Sequence, residues 1–182
     1  TNPSNNRMLL LLDSNMTYLN HLFLYSGNSP VFSSQLKWVN DKIHYCYQIG
    51  DQARFQIFDD NLNLLNDYGF NTSGSGNLSI RGLETDDNLN TYILLESYGT
   101  VDVNPDPLQD DYYGSQNFQS SLISIDNNGN LRWKYFLFKN TGGVYSRGLS
   151  MSDNRLFLDM GQWGGSSVAV SYTHLRAHET RI

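Results

Sequence analysis

The sequence predicts an all-β chain assembled from a recurring strand-turn-strand unit, and three observations carry that prediction. Where apolar residues are densest they alternate: in KIHYCYQI, residues 42–49, Ile43, Tyr45, Tyr47 and Ile49 share one face while His44, Cys46 and Gln48 share the other. That is the side-chain geometry of an extended strand. No window of comparable length keeps apolar residues at helical spacing. Finally, one punctuated pattern returns along the chain at regular separation, which marks a repeat architecture.

The unit occurs as LLLLDSNMTYL from Leu9, FQIFDDNLNLL from Phe55 and LISIDNNGNLRW from Leu122. Each is an apolar strand, an Asp, a few polar residues and a second apolar run, so each predicts two strands joined by an Asx-type turn. Asp13, Asp59 and Asp126 stand at the same point of each unit, where a short carboxylate accepts hydrogen bonds from the amides of the turn. A second block recurs as RGLETDDN from Arg81 and RGLSMSDN from Arg147, with a weaker counterpart QLKWVND from Gln35. Each leads into a strand: KIHYCYQI, NTYILLE or RLFLDM.

From Asp13 to Asp59 is 46 residues and from Asp59 to Asp126 is 67. The excess of about 20 lies between Glu96 and Ser121, around VDVNPDPLQDDYYGSQNFQ. A period near 46 with four short strands per unit predicts a β-propeller, whose blades run roughly 40 to 50 residues. The expected fold is therefore an all-β propeller fragment of about three four-stranded antiparallel blades, truncated at its C-terminus, with an insertion near residues 97–120. SSVAV from Ser166 matches SSLIS from Ser120, which puts the next repeat Asp at position 172, where Tyr172 stands. Val170–Thr180 reads VSYTHLRAHET, the translation of a transposase adapter used to build sequencing libraries. The expectation is a partial propeller over residues 1–170 and a non-native, adapter-derived tail over 171–182, making few native-like contacts.

The chain carries a net charge of −6, and removing the tail, with Arg176, Arg181 and Glu179, makes it more acidic still. That balance disfavours binding to a nucleic-acid backbone, which needs clustered Lys and Arg. No run reaches the length of a membrane span. Cys46 is the single cysteine, so no intrachain disulfide forms within this sequence. Asn15, Asn71 and Asn77 stand in glycosylation sequons, which carry meaning only in a host that modifies them.

IDNNGNLRW from Ile125 resembles the DxxGxxxW signature of the PQQ-like, or quinoprotein alcohol dehydrogenase-like, propeller repeats, in Asp126, Gly129 and Trp133. In the other two units Met16 and Leu62 replace the Gly and the Trp is absent. The resemblance implies a propeller architecture over most of residues 7–170, with Trp133 docked between neighbouring blades, and an extracytoplasmic location. For an enzyme of the family it also implies PQQ and a calcium ion in the funnel, with adjacent cysteines against the cofactor. Cys46 has no such neighbour.

Asp102, Asn104, Asp106, Asp110 and Asp111 of the insertion are the calcium candidates, because they gather hard oxygen ligands on a Pro-containing loop. DDNLN at Asp59 and DNNGN at Asp126 begin like an EF-hand loop but lack the Glu at its twelfth position. They read as turns. His174 and His178 have the spacing of a zinc pair and belong to the adapter string, while His21 and His44 are isolated. GSGN at Gly74 and TGGV at Thr141 read as turns at blade ends, since no helix follows to make a phosphate cradle. Trp38, Trp133 and Trp163 suit packing between blades.

The sequence assigns no catalytic or cofactor-binding residue. The expected function is a non-enzymatic module that binds a protein, peptide or glycan through rim loops. The alternative is a fragment of a PQQ-dependent dehydrogenase or of another propeller enzyme of the arylsulfotransferase-like kind, for which a catalytic His would be required. Three blades leave two terminal faces uncovered, with apolar Leu9–Leu12 in the first and Val168–Val170 in the last, so residues 1–170 expressed alone should associate. Light scattering tests this: a monodisperse monomer that unfolds cooperatively overturns either the truncation or the architecture.

Overall fold

A computed structural model describes residues 5–27, 33–104, 106, 108–109, 112–138, 144–153, 155–162 and 169–173. These residues form twelve strands: β1 Asn5–Leu12, β2 Tyr18–Gly27, β3 Ser34–Val39, β4 Lys42–Ile49, β5 Gln52–Asp59, β6 Leu64–Thr85, β7 Thr91–Asp102, β8 Tyr112–Ile125, β9 Leu131–Phe138, β10 Val144–Ser152, β11 Arg155–Gln162 and β12 Ala169–Thr173. Among them no helix is long and apolar enough to cross a membrane.

Strands β3 to β9 follow one another as an antiparallel meander, β12 lies beyond β9, and β1–β2 and β10–β11 form separate two-stranded sheets. Strand β6 joins two blades. Its start, Leu64 to Phe70, pairs with β5, and the rest, Asn71 to Thr85, pairs with β7. The meander thus divides into two four-stranded units, β3-β4-β5-β6 and β6-β7-β8-β9, with β1–β2 as the last two strands of a preceding unit and β10–β11 as the first two of a following one. The chain is all-β, a curled antiparallel sheet flanked by two small sheets, as expected of a propeller fragment.

Three particulars depart from the expectation. The blades are not separate sheets, because SGSGN is no turn but an irregularity inside β6, where the pairing jumps from Ser73↔Thr100 to Asn77↔Tyr98. There Gly99, with φ +85°, meets Gly76 so closely that a Cβ on Gly99 would stand 3.0 Å from Gly76 Cα. Ala169 and Val170, the end of the SSVAV segment matched to SSLIS, belong to β12, which pairs with β9 from Ala169↔Phe138 to Thr173↔Lys134. Ser171, Tyr172 and Thr173 therefore do make sheet contacts, through backbone groups that any sequence supplies; the rest of the tail lies outside the described residues.

The Asp-headed turns recur four times with one geometry. The amide of Asp13, Asp59, Asp86 or Asp126 donates to the carbonyl of the residue four on, and the amide three on donates back to the Asp carbonyl. The fourth residue has positive φ in every case: Met16 64°, Leu62 68°, Leu89 63° and Gly129 88°. Glycine is needed there only at 129, where a Cβ would overlap the Tyr68 ring of the preceding blade. Tyr68 stacks on Phe55 at 5.8 Å and its hydroxyl donates to the Asn128 carbonyl at 3.4 Å.

Both faces of the central blade are buried. Ile43, Tyr45 and Tyr47 pack with Phe58 and Leu62 against Leu9, Leu11, Leu22 and Leu24. From the opposite side Cys46, Phe55, Ile57 and Phe70 pack against Leu78, Ile80, Ile93, Leu95 and Ile123. Beyond β1–β2, Met8, Leu10, Leu19 and Phe23 stay exposed. Strand β10 packs on β6, β7 and β8, with Leu149 lying so close to Gly82 that a Cβ there would overlap it.

Gly129→Ala is expected to cost about 2 kcal/mol or more, from the left-handed conformation and the Tyr68 overlap together. Met16→Gly, at the same turn position but 75% exposed, is expected to stabilise by about 0.5–1 kcal/mol, since relief of strain exceeds the added chain entropy. Urea unfolding of both variants checks the pair, and equal effects of one sign would refute the shared turn geometry.

Candidate functional site

The insertion does not form a free loop. It lengthens the β7–β8 hairpin, with Asp102↔Tyr112, Val101↔Tyr113 and Gly99↔Ser115 in register beyond the blade. Its base is fixed by Val101 and Val103, both in the core between the blades. Above the base a series of side-chain-capped turns runs up the loop: Asn104 N donates to Asp102 Oδ1 and Asp106 N to Asn104 Oδ1, both at 3.0 Å, and Leu108 N to Asp106 Oδ1 at 2.9 Å. Gln109 Nε2 closes it on Asp106 Oδ2 at 2.8 Å. Leu108 then projects 90% exposed, and Tyr112 is exposed at the hairpin's far side.

A second feature lies where β10 meets β6 and β7, a cavity of about 510 Å³ lined by Arg81, Glu96, Tyr145, Ser146 and Arg147. Both arginines are extra residues in their ladders, since the register shifts between Ile80 and Gly82 and again between Ser146 and Gly148. The RGL block thus encodes a β-bulge, which re-aims one side chain out of the pleat. Glu96, 7% exposed, accepts from Arg81 Nη2 at 2.8 Å and from the Ser146 amide at 3.0 Å. Ser120 and Ser146 hydroxyls meet at 2.7 Å beside it. The Arg147 guanidinium lies over the Tyr145 ring, 5.4 Å from its centroid.

Between the two complete blades sits His44, 1% exposed. Its Nδ1 is 2.9 Å from Thr91 Oγ1 and 3.3 Å from Thr85 Oγ1, its ring lies 5.7 Å from that of Phe55, and Nε2 is buried without a hydrogen-bond partner. Burial, helped by the charge of Lys42, pushes this imidazole down to about 4, so it is neutral in the folded chain. Nearby, Lys37 Nζ stands 2.6 Å from Glu84 Oε2, an ion pair that ties β3 to β6.

The sequence-predicted residues fall as follows. Asp13, Asp59 and Asp126 head turns, with Oδ1 accepting the amides two and four residues on in each. Asn63 donors hold Asp59 below the usual carboxylate range; at Asp126 burial opposes ionisation and is outweighed by Asn130 and the turn amides. Asp86 belongs with them and was missed, although DDNLN at 59–63 recurs letter for letter at 86–90. It also accepts from the Tyr92 hydroxyl at 2.9 Å.

Trp133 is on the face of its sheet that looks toward β10, the face of Ser120 and Ser124, but it is only partly buried. Among the described residues its ring lies 5.8 Å from that of Tyr92 and 4.8 Å from that of Tyr135, both on its own sheet. Tyr68 meets Gly129 and the Asn128 carbonyl between the two complete blades. Trp38 is exposed, and so is His21, which bonds Tyr18.

Of the calcium candidates, Asp102, Asn104 and Asp106 bond loop amides as above, and Asp110 and Asp111 lie outside the described residues, as do Trp163, His174, His178 and residues 141–143 of the TGGV stretch, whose Val144 begins β10. Among the described residues no group of three or more His, Cys, Asp or Glu is placed to hold a metal ion. Cys46 is wholly buried and burial pushes its thiol up; alone in the core, it does not fit the adjacent-cysteine contact of a PQQ site. Comparison with family models, with curated proteins and with solved structures gives no match to this chain.

His44 sets a pH dependence with a definite sign. Above the unfolded value near 6.5 both states are neutral and stability is complete. As pH falls from 6.5 toward 4 the unfolded chain takes the proton first, so stability is lost, by up to ~3 kcal/mol. Thermal unfolding of wild type and His44→Gln between pH 7.5 and 4.5 should show a steeper loss in wild type; parallel profiles would mean that His44 is not buried and neutral.

Proposed function

We propose that the chain is part of a non-enzymatic propeller module that binds a protein, peptide or glycan, and that the extended β7–β8 hairpin is its recognition element. We assign the blades to the PQQ-like repeats on the strength of Asp126, Gly129 and Trp133. The observation that carries the binding reading is Leu108: a large apolar side chain held out in water on a loop whose turns are fixed by consecutive Asp and Asn caps. Loops on rigid scaffolds are where recognition concentrates. An ordered apolar anchor loses little entropy on binding, so its burial goes largely into affinity.

The loop carries Asp102, Asp106, Asp110 and Asp111 and no basic residue between them, which favours a partner surface with Lys or Arg around an apolar hole. Screening a displayed peptide library and a glycan array with the whole chain should yield ligands that bind Leu108→Asp at least tenfold more weakly. The same substitution should leave stability within about 0.5 kcal/mol, because the side chain packs on little. Ligands indifferent to the substitution would remove the hairpin from the binding surface.

A further inference from the structure

The cavity at β10 is one half of a repeated arrangement whose second half has lost a residue. Arg81 and Arg147 occupy the same place in successive blades, each the bulged residue of an RGL block. Two positions before Arg81, Ser79 pairs with Glu96; two positions before Arg147, Tyr145 pairs with Gly161. Glu96 neutralises Arg81 at 2.8 Å, and its counterpart is a glycine. A Cβ on Gly161 would overlap the Tyr145 ring, so tyrosine fills the space that the carboxylate side chain takes in the preceding blade. Arg147 lies on that ring, with Nη2 3.4 Å from the Tyr145 hydroxyl, and has no carboxylate partner among the described residues.

We propose that this cavity is a binding site for a carboxylate, which the ligand brings to Arg147 in place of the missing acidic side chain. With Arg81 matched by Glu96, the lining holds, among the described residues, one positive charge without a carboxylate partner in an otherwise acidic chain. Arg147 is exposed, and a guanidinium presents a planar fork of donors to two carboxylate oxygens, a geometry a lysine cannot offer. A volume of about 510 Å³ is within the range for small ligands, roughly 300–1,000 Å³. An acidic peptide side chain and a uronic acid sugar present the same group.

The test titrates the full chain, by calorimetry at low salt, with acetyl-Glu-Glu-amide and with digalacturonate, against acetyl-Gln-Gln-amide, neutral galactobiose and inorganic phosphate. At least one acidic probe should bind ten times more tightly than its neutral counterpart and than phosphate, and which one binds identifies the source. Arg147→Gln should weaken that probe at least tenfold with the unfolding midpoint unchanged. The double substitution Tyr145→Ser, Gly161→Glu rebuilds the internal pair of the preceding blade and should abolish binding while Arg147 stays in place. Leu108→Asp should leave the affinity unaltered, which separates this site from the hairpin. No binding of either acidic probe, equal binding of phosphate, or full affinity in Arg147→Gln or in the double variant overturns the proposal.

Discussion

A four-stranded sheet has two faces, and in this chain both faces of the central blade are buried. Strand β4 shows it most clearly, with Ile43, Tyr45 and Tyr47 buried toward β1–β2 and Cys46 buried toward β6–β9. Fully burying one such side chain stabilises by about 1.5–3 kcal/mol, which the blade realises only between two neighbours. Everything else follows from that demand: the curl of the sheet, the close approach of β3 and β10 to β6, and the polar pairs threaded through the contacts. Those pairs, Lys37 with Glu84, His44 with Thr91, and Glu96 with the Ser146 amide, set the register in which the faces meet, because a buried polar atom tolerates little misplacement.

Much of this was legible in the sequence, and the reasons are local. An Asp followed by Asn and a small or polar run specifies its own turn through hydrogen bonds that span at most four residues, so Asp13, Asp59 and Asp126 could be located with no knowledge of the fold. The period-2 pattern of β4 was equally local. The bulges at Arg81 and Arg147 were visible only as a recurring RGL, since a bulge is defined by the partner strand. The continuity of β6 was hidden for a related reason. Glycine and serine read as a break when only short-range propensity is weighed, yet here Gly76 and Gly99 let two paired strands approach closely where their register shifts. Trp133 and the hairpin's outward Leu108 depended on packing partners the sequence does not announce.

The uneven match to the DxxG signature also has an energetic account. Placing a residue with a side chain in the left-handed region costs about 1–2 kcal/mol, and burying a leucine returns a comparable or larger amount. Leu62 sits in the core cluster between the first two blades, so glycine there would relieve strain and lose packing. At 129 no such exchange exists, because the Tyr68 ring already occupies the space a Cβ would need. Glycine appears where a neighbouring blade leaves room for nothing else, and the motif looks degenerate wherever that neighbour is arranged differently.

The two features that suggest recognition are both departures from the repeat. Where the units agree, the Asp-headed turns at Asp13, Asp59, Asp86 and Asp126 close on themselves in the same way. The extended β7–β8 hairpin has only a short counterpart at β4–β5, and the carboxylate opposite the bulged arginine is present at Glu96 and absent at Gly161. A repeat protein gains stability from positions that stay alike, since each interface reuses the same contacts. A position that abandons its contact surrenders that stabilisation, and a group so released, such as the Arg147 guanidinium on its tyrosine, is available to something outside the chain.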